Sequence, residues 1–437
     1  MLGHRASRDI LAGGAMQEHP LRAAVLGEMH ARPFVPLATP ARLMHFAFMA
    51  DAAACREDRE RLGAFCLARG VAGPQPDTRF HHVPLSGGEL RWEQHSEFIT
   101  YTWRIACDHR TPFAAVERPH APMSGLPAPG PLLVALDLHL LPEAAALSLE
   151  DIFDRASLAA SIMDGGAALA ATDFRPDERG AVRILVLDLD LSPARAGALT
   201  QRLIEIETYR TLALLGLPEA QRLASGLRQM EEELARITRA MRETVGATAN
   251  SALLDELTAL AAVSEAESAS SSYRFGASRA YDRIVQQRLD VIGEEPYEGL
   301  PTWAAFLARR LAPAMRTVQT LEERQANLSR KLARAATLLR TRVDVEIEQQ
   351  NRDLLVAMNN RTRLQLRLQQ TVEGLSVAAI SYYVVGLLGY LAKGAKEAGL
   401  PVPEPGLATA AAVPLAVLAV WLVVRRIRRR HAGEDHP

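Results

Sequence analysis

Two apolar segments with the character of β-strands carry ionisable side chains at alternate positions. Asp137 and His139 lie in the first segment, and Asp188 and Asp190 lie in the second. Because residues two apart in a strand share a face, each pair is expected to project from one side of its strand. If the strands are neighbours, their carboxylate and imidazole groups form a ligand set for Mg²⁺ or another divalent cation. The alternative is that the four residues are the polar face of two half-covered strands.

A second cluster of reactive side chains lies near the N-terminus, where Glu28, His30 and Arg32 alternate. Glu with His suggests acid–base chemistry or metal ligation. However, no nucleophile, cysteine or second carboxylate accompanies them in the sequence. We therefore prefer a buried ionic cluster that ties an N-terminal helix to a sheet. No catalytic residue is predicted, and the chain is not expected to be an enzyme.

The elements that position these residues are predicted to form a sheet first and helices afterwards. Apolar runs and period-two alternation predict strands beginning near Leu43 and over 80–85, 89–93, 98–105, 132–140 and 182–191. Helical patterns precede and interrupt the strands at 21–30, 51–69 and 149–158. Strands that cluster before helices favour an α+β sheet domain over a doubly wound fold.

From Pro193 onward the chain is predicted to be nearly all helix. Ser192 and Pro193 are a typical helix start. The segment 294–301 is the main interruption, and one helix is predicted to continue from Ala314 to Leu391 without a glycine or proline before the apolar stretch. A helix of that length requires neighbours, either from its own chain or from copies of it.

Two uncharged runs near the C-terminus predict membrane-spanning helices. The first lies between Glu373 and Lys393, and the second runs over 406–424. At about 1.5 Å per residue each approaches the thickness of the hydrocarbon core of a bilayer. Their short connection implies a hairpin with both long flanks on one side of the membrane. The basic segment 425–430 places that side in the cytoplasm, whereas Lys393 and Lys396 in the connection are a weaker signal to the contrary.

Small and polar residues in the first predicted span are candidates to line a pore or to contact another helix. Aromatic anchoring at the membrane interface equally explains Tyr390, and hydroxyl groups in a helix can bond back to their own backbone. The candidates are Ser376, Ser381, Tyr382, Tyr383, Gly386, Gly389 and Tyr390.

The predicted domain organisation follows from these elements. Residues 1–18 are expected to be disordered or to precede the true start, for which Met16 is a candidate. The expected parts are an α+β cytosolic domain at 19–192, a helical region at 193–300, a long stalk helix at 301–373, a first span at 374–392, an external loop at 393–406, a second span at 407–424 and a basic cytoplasmic tail at 425–437.

Composition narrows the classes of partner. The 437 residues carry a formal net charge of −1, so the overall charge gives no indication of nucleic-acid binding. The expected location is the bacterial inner membrane, with two spans and both termini in the cytoplasm.

Three stretches resemble the hallmarks of a bacterial family of membrane-anchored proteins that is described only as a domain of unknown function. They are Glu28-Met-His-Ala-Arg-Pro33, the segment 204–218 that begins Ile-Glu-Ile-Glu-Thr-Tyr-Arg, and the segment from Leu338 through Tyr383. The resemblance covers nearly the whole chain and implies no particular chemistry.

The layout also resembles that of CorA-type magnesium channels, in which a long helix runs from a cytosolic α+β domain into the first of two spans. Met358-Asn359-Asn360 is similar to the approach to the first span in those channels. The departure is at Gly389-Tyr390-Leu391, where the channels have Gly-Met-Asn to supply oxygens at the ion entrance. The resemblance therefore implies a homo-oligomer, specifically a pentamer, more firmly than it implies transport.

Two functions are expected from these features. One is a CorA-like homo-oligomer in the inner membrane that transports or senses a divalent cation. The other is a non-transporting anchored scaffold whose cytosolic part binds an unknown protein partner. The lack of acidic and amide side chains in the first span favours the scaffold or a hydrophobically gated pore.

Overall fold

A computed structural model of the chain describes residues 19, 20, 22, 26, 34–76, 78–116, 121–143, 147–399, 401 and 404–431. The predicted cluster of Glu28, His30 and Arg32 lies outside the described residues. Contacts divide the chain into two units. We call Met1–Arg239 with Glu256–Ala335 the sheet unit, and Ala240–Asp255 with Ala336–Pro437 the C-terminal unit.

The strands and helices have the following bounds. The strands are β1 Ala41–Met49, β2 Phe80–Leu85, β3 Gly88–Gln94, β4 Phe98–Ile105, β5 Leu132–Pro142, β6 Ala159–Met163, β7 Ala168–Pro176, β8 Val182–Asp188 and β9 Glu295–Pro296. The helices are α1 Ala52–Leu67, α2 Leu149–Ile152, α3 Pro193–Leu214, α4 Gly216–Glu243, α5 Ala247–Ile292, α6 Trp303–Glu397 and α7 Pro405–His431.

The strands of the sheet unit form one mixed sheet with the order β2-β3-β4-β1-β5-β8-β7-β6-β9. The pair β5–β8 is parallel, and the other described pairs are antiparallel. A mixed sheet followed by long helices confirms the predicted α+β class. The parallel pair lies at the centre, where β5 also pairs with β1.

Local sequence explains several element boundaries. The Asp51 side chain accepts hydrogen bonds from the backbone N–H groups of Ala53 and Ala54 and caps α1. Ser192 caps α3 in the same way by accepting from the N–H of Arg195, and Pro193 opens the helix. Both caps were predictable because these side chains favour the position before a helix.

The hairpin β6–β7 was not predicted, and the helix expected at 149–158 ends at Ile152. Alanine has a weak preference for strands, so the local sequence carries no strand signal. Both faces of the hairpin are covered by other parts of the sheet unit, which removes the alternation of polar and apolar residues. The buried alanines of the hairpin are Ala159, Ala160, Ala168, Ala170 and Ala171.

Helices cover the two faces of the sheet with different cores. On one face, Leu62 and Phe65 of α1 pack with Tyr101 and Trp103 of β4. On the other face, α3, α5 and the first turns of α6 pack on β1, β5 and β8, and the fully buried Trp303 belongs to this larger core. The sheet is thus covered on both sides near β1 and β5, where the candidate residues lie.

The helix α6 extends from Trp303 to Glu397 without interruption, with Pro313 inside it. The prediction of one continuous helix into the apolar stretch is confirmed, although the helix begins 11 residues before Ala314. Two helices of the described chain, α6 and α7, contain stretches long and apolar enough to cross a membrane.

Candidate functional site

The most buried charged side chains near the centre of the sheet are Arg42 of β1 and Asp137 of β5. The Arg42 Nε donates to Asp137 Oδ1 at 2.9 Å, and Nη2 donates to Oδ2 at 2.6 Å. Both side chains are almost completely buried. This is the bidentate geometry in which a guanidinium neutralises a carboxylate most effectively.

His139 lies beside this pair on the same face of β5. Its Nε2 accepts a hydrogen bond from the backbone N–H of Phe113 at 3.2 Å, so we assign the ring proton to Nδ1. Nδ1 is 3.7 Å from Cys107 Sγ. The Asp137 Oδ1 is 3.4 Å from Nε2, which is too long for a strong hydrogen bond.

The protonation states follow from this arrangement. Burial alone would raise the pKa of Asp137, but the interactions with His139 and Arg42 outweigh it and lower the pKa below its usual value. Burial lowers the pKa of His139, even though Asp137 opposes this effect. The resting cluster therefore holds an ionised Asp137, a charged Arg42 and a neutral His139.

A cleft of about 650 Å³ opens above Arg42 and His139 on this face of the sheet. We call it the β1–β5 cleft. Its walls come from the C-terminal turn of α1, the turn between β2 and β3, the end of β4 and the segments 106–116 and 121–124. Its lining residues include Arg42, Phe65, Arg69, Gly87, Gly88, Trp103, Ile105, Asp108, Ser124 and His139.

The predicted proximity of Asp137 and His139 is observed, and β5 and β8 are neighbours as the prediction required. The register, however, places Asp188 beside Pro142, five positions along β5 from Asp137. Asp188 accepts hydrogen bonds from Thr39 Oγ1 and from the backbone N–H of Leu191, and Asp190 is exposed beyond the end of β8. The two pairs of residues are therefore separate.

The four residues form no shared ligand set in the structure. Within the described residues, no group of three or more His, Cys, Asp and Glu side chains is arranged to hold a metal ion. Asp137 is also already neutralised by Arg42, so a cation would have to displace the guanidinium. The geometry supports a buried polar cluster at this position.

The candidate residues of the first apolar stretch all lie on α6 in the C-terminal unit. Ser376 donates back to the carbonyl of Val372 at 2.9 Å, whereas Ser381 is buried and its hydroxyl has no partner among the described residues. Gly389 faces α7, since a Cβ there would lie 3.3 Å from Thr409 Oγ1.

The other candidates on α6 have open surroundings. Tyr382, Tyr383 and Tyr390 are exposed in the single chain. A Cβ at Gly386 would meet no atom within 4 Å. The arrangement identifies Gly389 as a helix contact and leaves the three tyrosines available to lipid or to another helix.

Several residues of the β1–β5 cleft were not recognised from the sequence. Arg42 was visible as a lone cation in an otherwise apolar strand, but its pairing with Asp137 depends on the adjacency of β1 and β5. Phe113 and Cys107 lie in a connecting segment whose path no local pattern predicts. Trp103 was interpreted only as part of the alternation in its strand.

Fold and site together define a class of protein: a mixed-sheet domain with a buried Arg–Asp–His cluster, followed by long helices and two apolar helices. The chain belongs to the family described as "Protein of unknown function (DUF3422)", whose family profile matches residues 17–431. No curated protein and no solved structure matches it. The comparisons thus confirm the resemblance to an uncharacterised family and give no support to the resemblance to CorA-type channels.

Proposed function

We propose that the chain is a membrane-anchored scaffold of the bacterial inner membrane. In this proposal α6 and α7 cross the bilayer as a hairpin, the sheet unit lies in the cytoplasm, and copies of α6 associate into a homo-oligomer. The oligomer presents several sheet units at the membrane surface, where they bind a protein partner.

The observation that carries the proposal is an exposed apolar stripe on α6 ahead of its uncharged stretch. We define the α6 stripe as Ile347, Leu354, Met358, Leu368 and Val372. At about 100° per residue these side chains lie within about 40° of Leu354 around the helix. Leu354, Met358 and Leu368 are 62%, 63% and 67% exposed.

Contact with lipid does not account for the α6 stripe. The same part of α6 carries Arg352, Asp353, Arg361, Arg363 and Arg367, which a bilayer core does not accommodate. An isolated helix exposed to water on all sides is also only marginally stable. Repeats of seven residues between Ile347, Leu354, Leu368 and Leu375, with Arg361 in the same series, favour packing against copies of α6.

A CorA-like transporter of divalent cations is the second candidate. The observation that favours it is the unbroken passage of α6 from the sheet unit into the apolar stretch. Against it, Gly389-Tyr390-Leu391 offers no amide oxygen where such channels have Gly-Met-Asn. The scaffold is therefore our preferred function.

The experiment that tests the scaffold measures the mass of the detergent-solubilised particle by light scattering, corrected for bound detergent, with and without millimolar Mg²⁺. We expect an oligomer that does not depend on Mg²⁺. The double variant Leu354→Gln/Leu368→Gln should dissociate it, because both substitutions lie on the α6 stripe.

The matched control is Leu355→Gln/Leu366→Gln. Leu355 and Leu366 are 66% and 54% exposed, but they lie about 100° or more from Leu354 around α6. This control should remain oligomeric. A monomer for the unaltered chain, or equal dissociation by both double variants, would contradict the proposal. Mg²⁺ flux into proteoliposomes would favour the transporter.

A further inference from the structure

We propose that the β1–β5 cleft binds an amphiphilic organic anion, which is an acidic group on an aromatic or alkyl body. The inference concerns the sheet unit alone and does not depend on how the chain crosses the membrane. It rests on several hydrogen-bond donors that face one cleft without a matching acceptor.

The first donor is the guanidinium of Arg42 on the floor of the cleft. Asp137 engages Nε and Nη2. Within the described part of the chain, Nη1 has no hydrogen bond. The bidentate pair with Asp137 holds the guanidinium in one orientation, so Nη1 is presented without the entropic cost of ordering a free side chain.

The second donor is Arg69, on the wall of the cleft. Its guanidinium lies 3.6 Å from the centre of the Phe65 ring, and Nη1 donates to the Phe65 carbonyl at 3.3 Å. No carboxylate pairs with Arg69 among the described residues. By contrast, Arg61 on the same helix is paired with Glu57. Arg69 is thus a cation fixed by an aromatic ring at a cleft and lacking a counterion.

The third donor is the indole N–H of Trp103, which lies between Phe65 and the floor. Trp103 is only 7% exposed, yet its Nε1 has no hydrogen-bond partner. A buried donor without an acceptor is costly and uncommon. An acceptor brought by a ligand would satisfy it after a small movement of the ring.

One carboxylate, that of Asp108, also lines the cleft. Its oxygens accept from the backbone N–H of Arg110 at 2.9 Å and from Thr111 Oγ1 at 3.0 Å. These local bonds occupy Asp108 within its own turn. The cation of Arg69 therefore has no partner from this direction.

The size and walls of the cleft indicate the class of ligand. A volume of about 650 Å³ lies in the range of small-molecule sites. Phe65, Trp103 and Ile105 provide an apolar wall for a hydrocarbon or aromatic body, while Arg42 and Arg69 face the acidic group. Such a ligand could come from a lipid, as a fatty acid, or from the soluble pool, as an aromatic acid.

Isothermal titration calorimetry on the full chain in nanodiscs tests this inference, with empty nanodiscs as the blank. The probes are 1-naphthoate for an aromatic acid, decanoate for a fatty acid and 1-naphthamide as the neutral analogue. We expect at least one acid to bind and the amide to bind at least about tenfold more weakly, as the loss of a charge-assisted hydrogen bond implies. The stronger acid identifies the source.

The variant Arg69→Gln should weaken binding of that acid about tenfold and leave binding of 1-naphthamide unchanged. The control Arg61→Gln, on the same helix but outside the lining of the cleft, should bind the acid as the unaltered chain does. Trp103→Phe keeps the aromatic wall and should weaken acid binding by a smaller factor. The inference is overturned if neither acid binds, if acid and amide bind equally, or if Arg61→Gln weakens binding as much as Arg69→Gln.

Discussion

Arg42 lies opposite His139 in the register of β1 and β5, yet its guanidinium bonds diagonally to Asp137. Diagonal neighbours across a strand pair are within reach of a long side chain. The result is that one ion pair is buried between two central strands while the ring opposite Arg42 stays neutral. This relationship fixes the floor of the β1–β5 cleft.

The first prediction concerns the stability of this pair. Arg42→Gln or Asp137→Asn alone should each lower the free energy of unfolding by about 3–5 kcal/mol, because each leaves a buried partner uncompensated. The double variant should cost clearly less than the sum of the two. Chemical denaturation followed by near-ultraviolet circular dichroism measures all three.

The exposed pair of Arg61 and Glu57 on α1 is the control for this cycle. Arg61→Gln should change the free energy of unfolding by less than about 1 kcal/mol. Single variants of the buried pair that cost no more than this control would show that Asp137 is not held by Arg42.

A second prediction concerns acid sensitivity through His45 of β1. Its ring nitrogens contact Thr102 Oγ1 at 2.8 Å and Thr208 Oγ1 at 3.1 Å. Burial, with smaller contributions from the charges of Arg91 and His95, lowers the pKa of His45 from 6.5 to about 3 in the folded chain. The unfolded chain therefore binds more protons between these two values.

Stability should consequently fall as the pH decreases through this window, by up to about 1.4 kcal/mol per pH unit from this residue. His45→Gln retains a hydrogen-bonding side chain that does not titrate, so the decrease should be shallower. The measurement is the free energy of unfolding at a series of pH values from neutral to 4. Parallel curves for the two proteins would rule out His45 as the source.

A third prediction separates the two glycines of the first apolar stretch. Gly389→Leu should destabilise the C-terminal unit by about 1–3 kcal/mol, since its Cβ would press on Thr409 of α7. Gly386→Leu has open space at the same point and serves as the control. Thermal unfolding in detergent compares the two, and an equal effect of both substitutions would contradict the predicted contact.

The fourth prediction tests the proposed topology. In a background where Cys107 is replaced by Ser, Lys396→Cys should react with a membrane-impermeant maleimide added to intact spheroplasts. Gln370→Cys should react only after permeabilisation, because it precedes the first span on the proposed cytoplasmic side. The reverse pattern would place the sheet unit outside the cytoplasm.

Much of the fold was determined by local sequence. The caps at Asp51 and Ser192, the alternation along β4 and the uncharged run after Glu373 each depend on near neighbours in the chain, so their elements were predictable. The unbroken α6 follows from the same kind of information, because no glycine lies between Trp303 and Glu373.

Only the tertiary structure decided the rest. The alanine-rich hairpin β6–β7 forms because cores on both of its faces cover it, which no local preference indicates. The register of β8 on β5 separates Asp188 from Asp137, and the same sheet order brings Arg42 to Asp137. Side chains distant in sequence meet through strand pairing, and that pairing depends on the packing of the whole sheet unit.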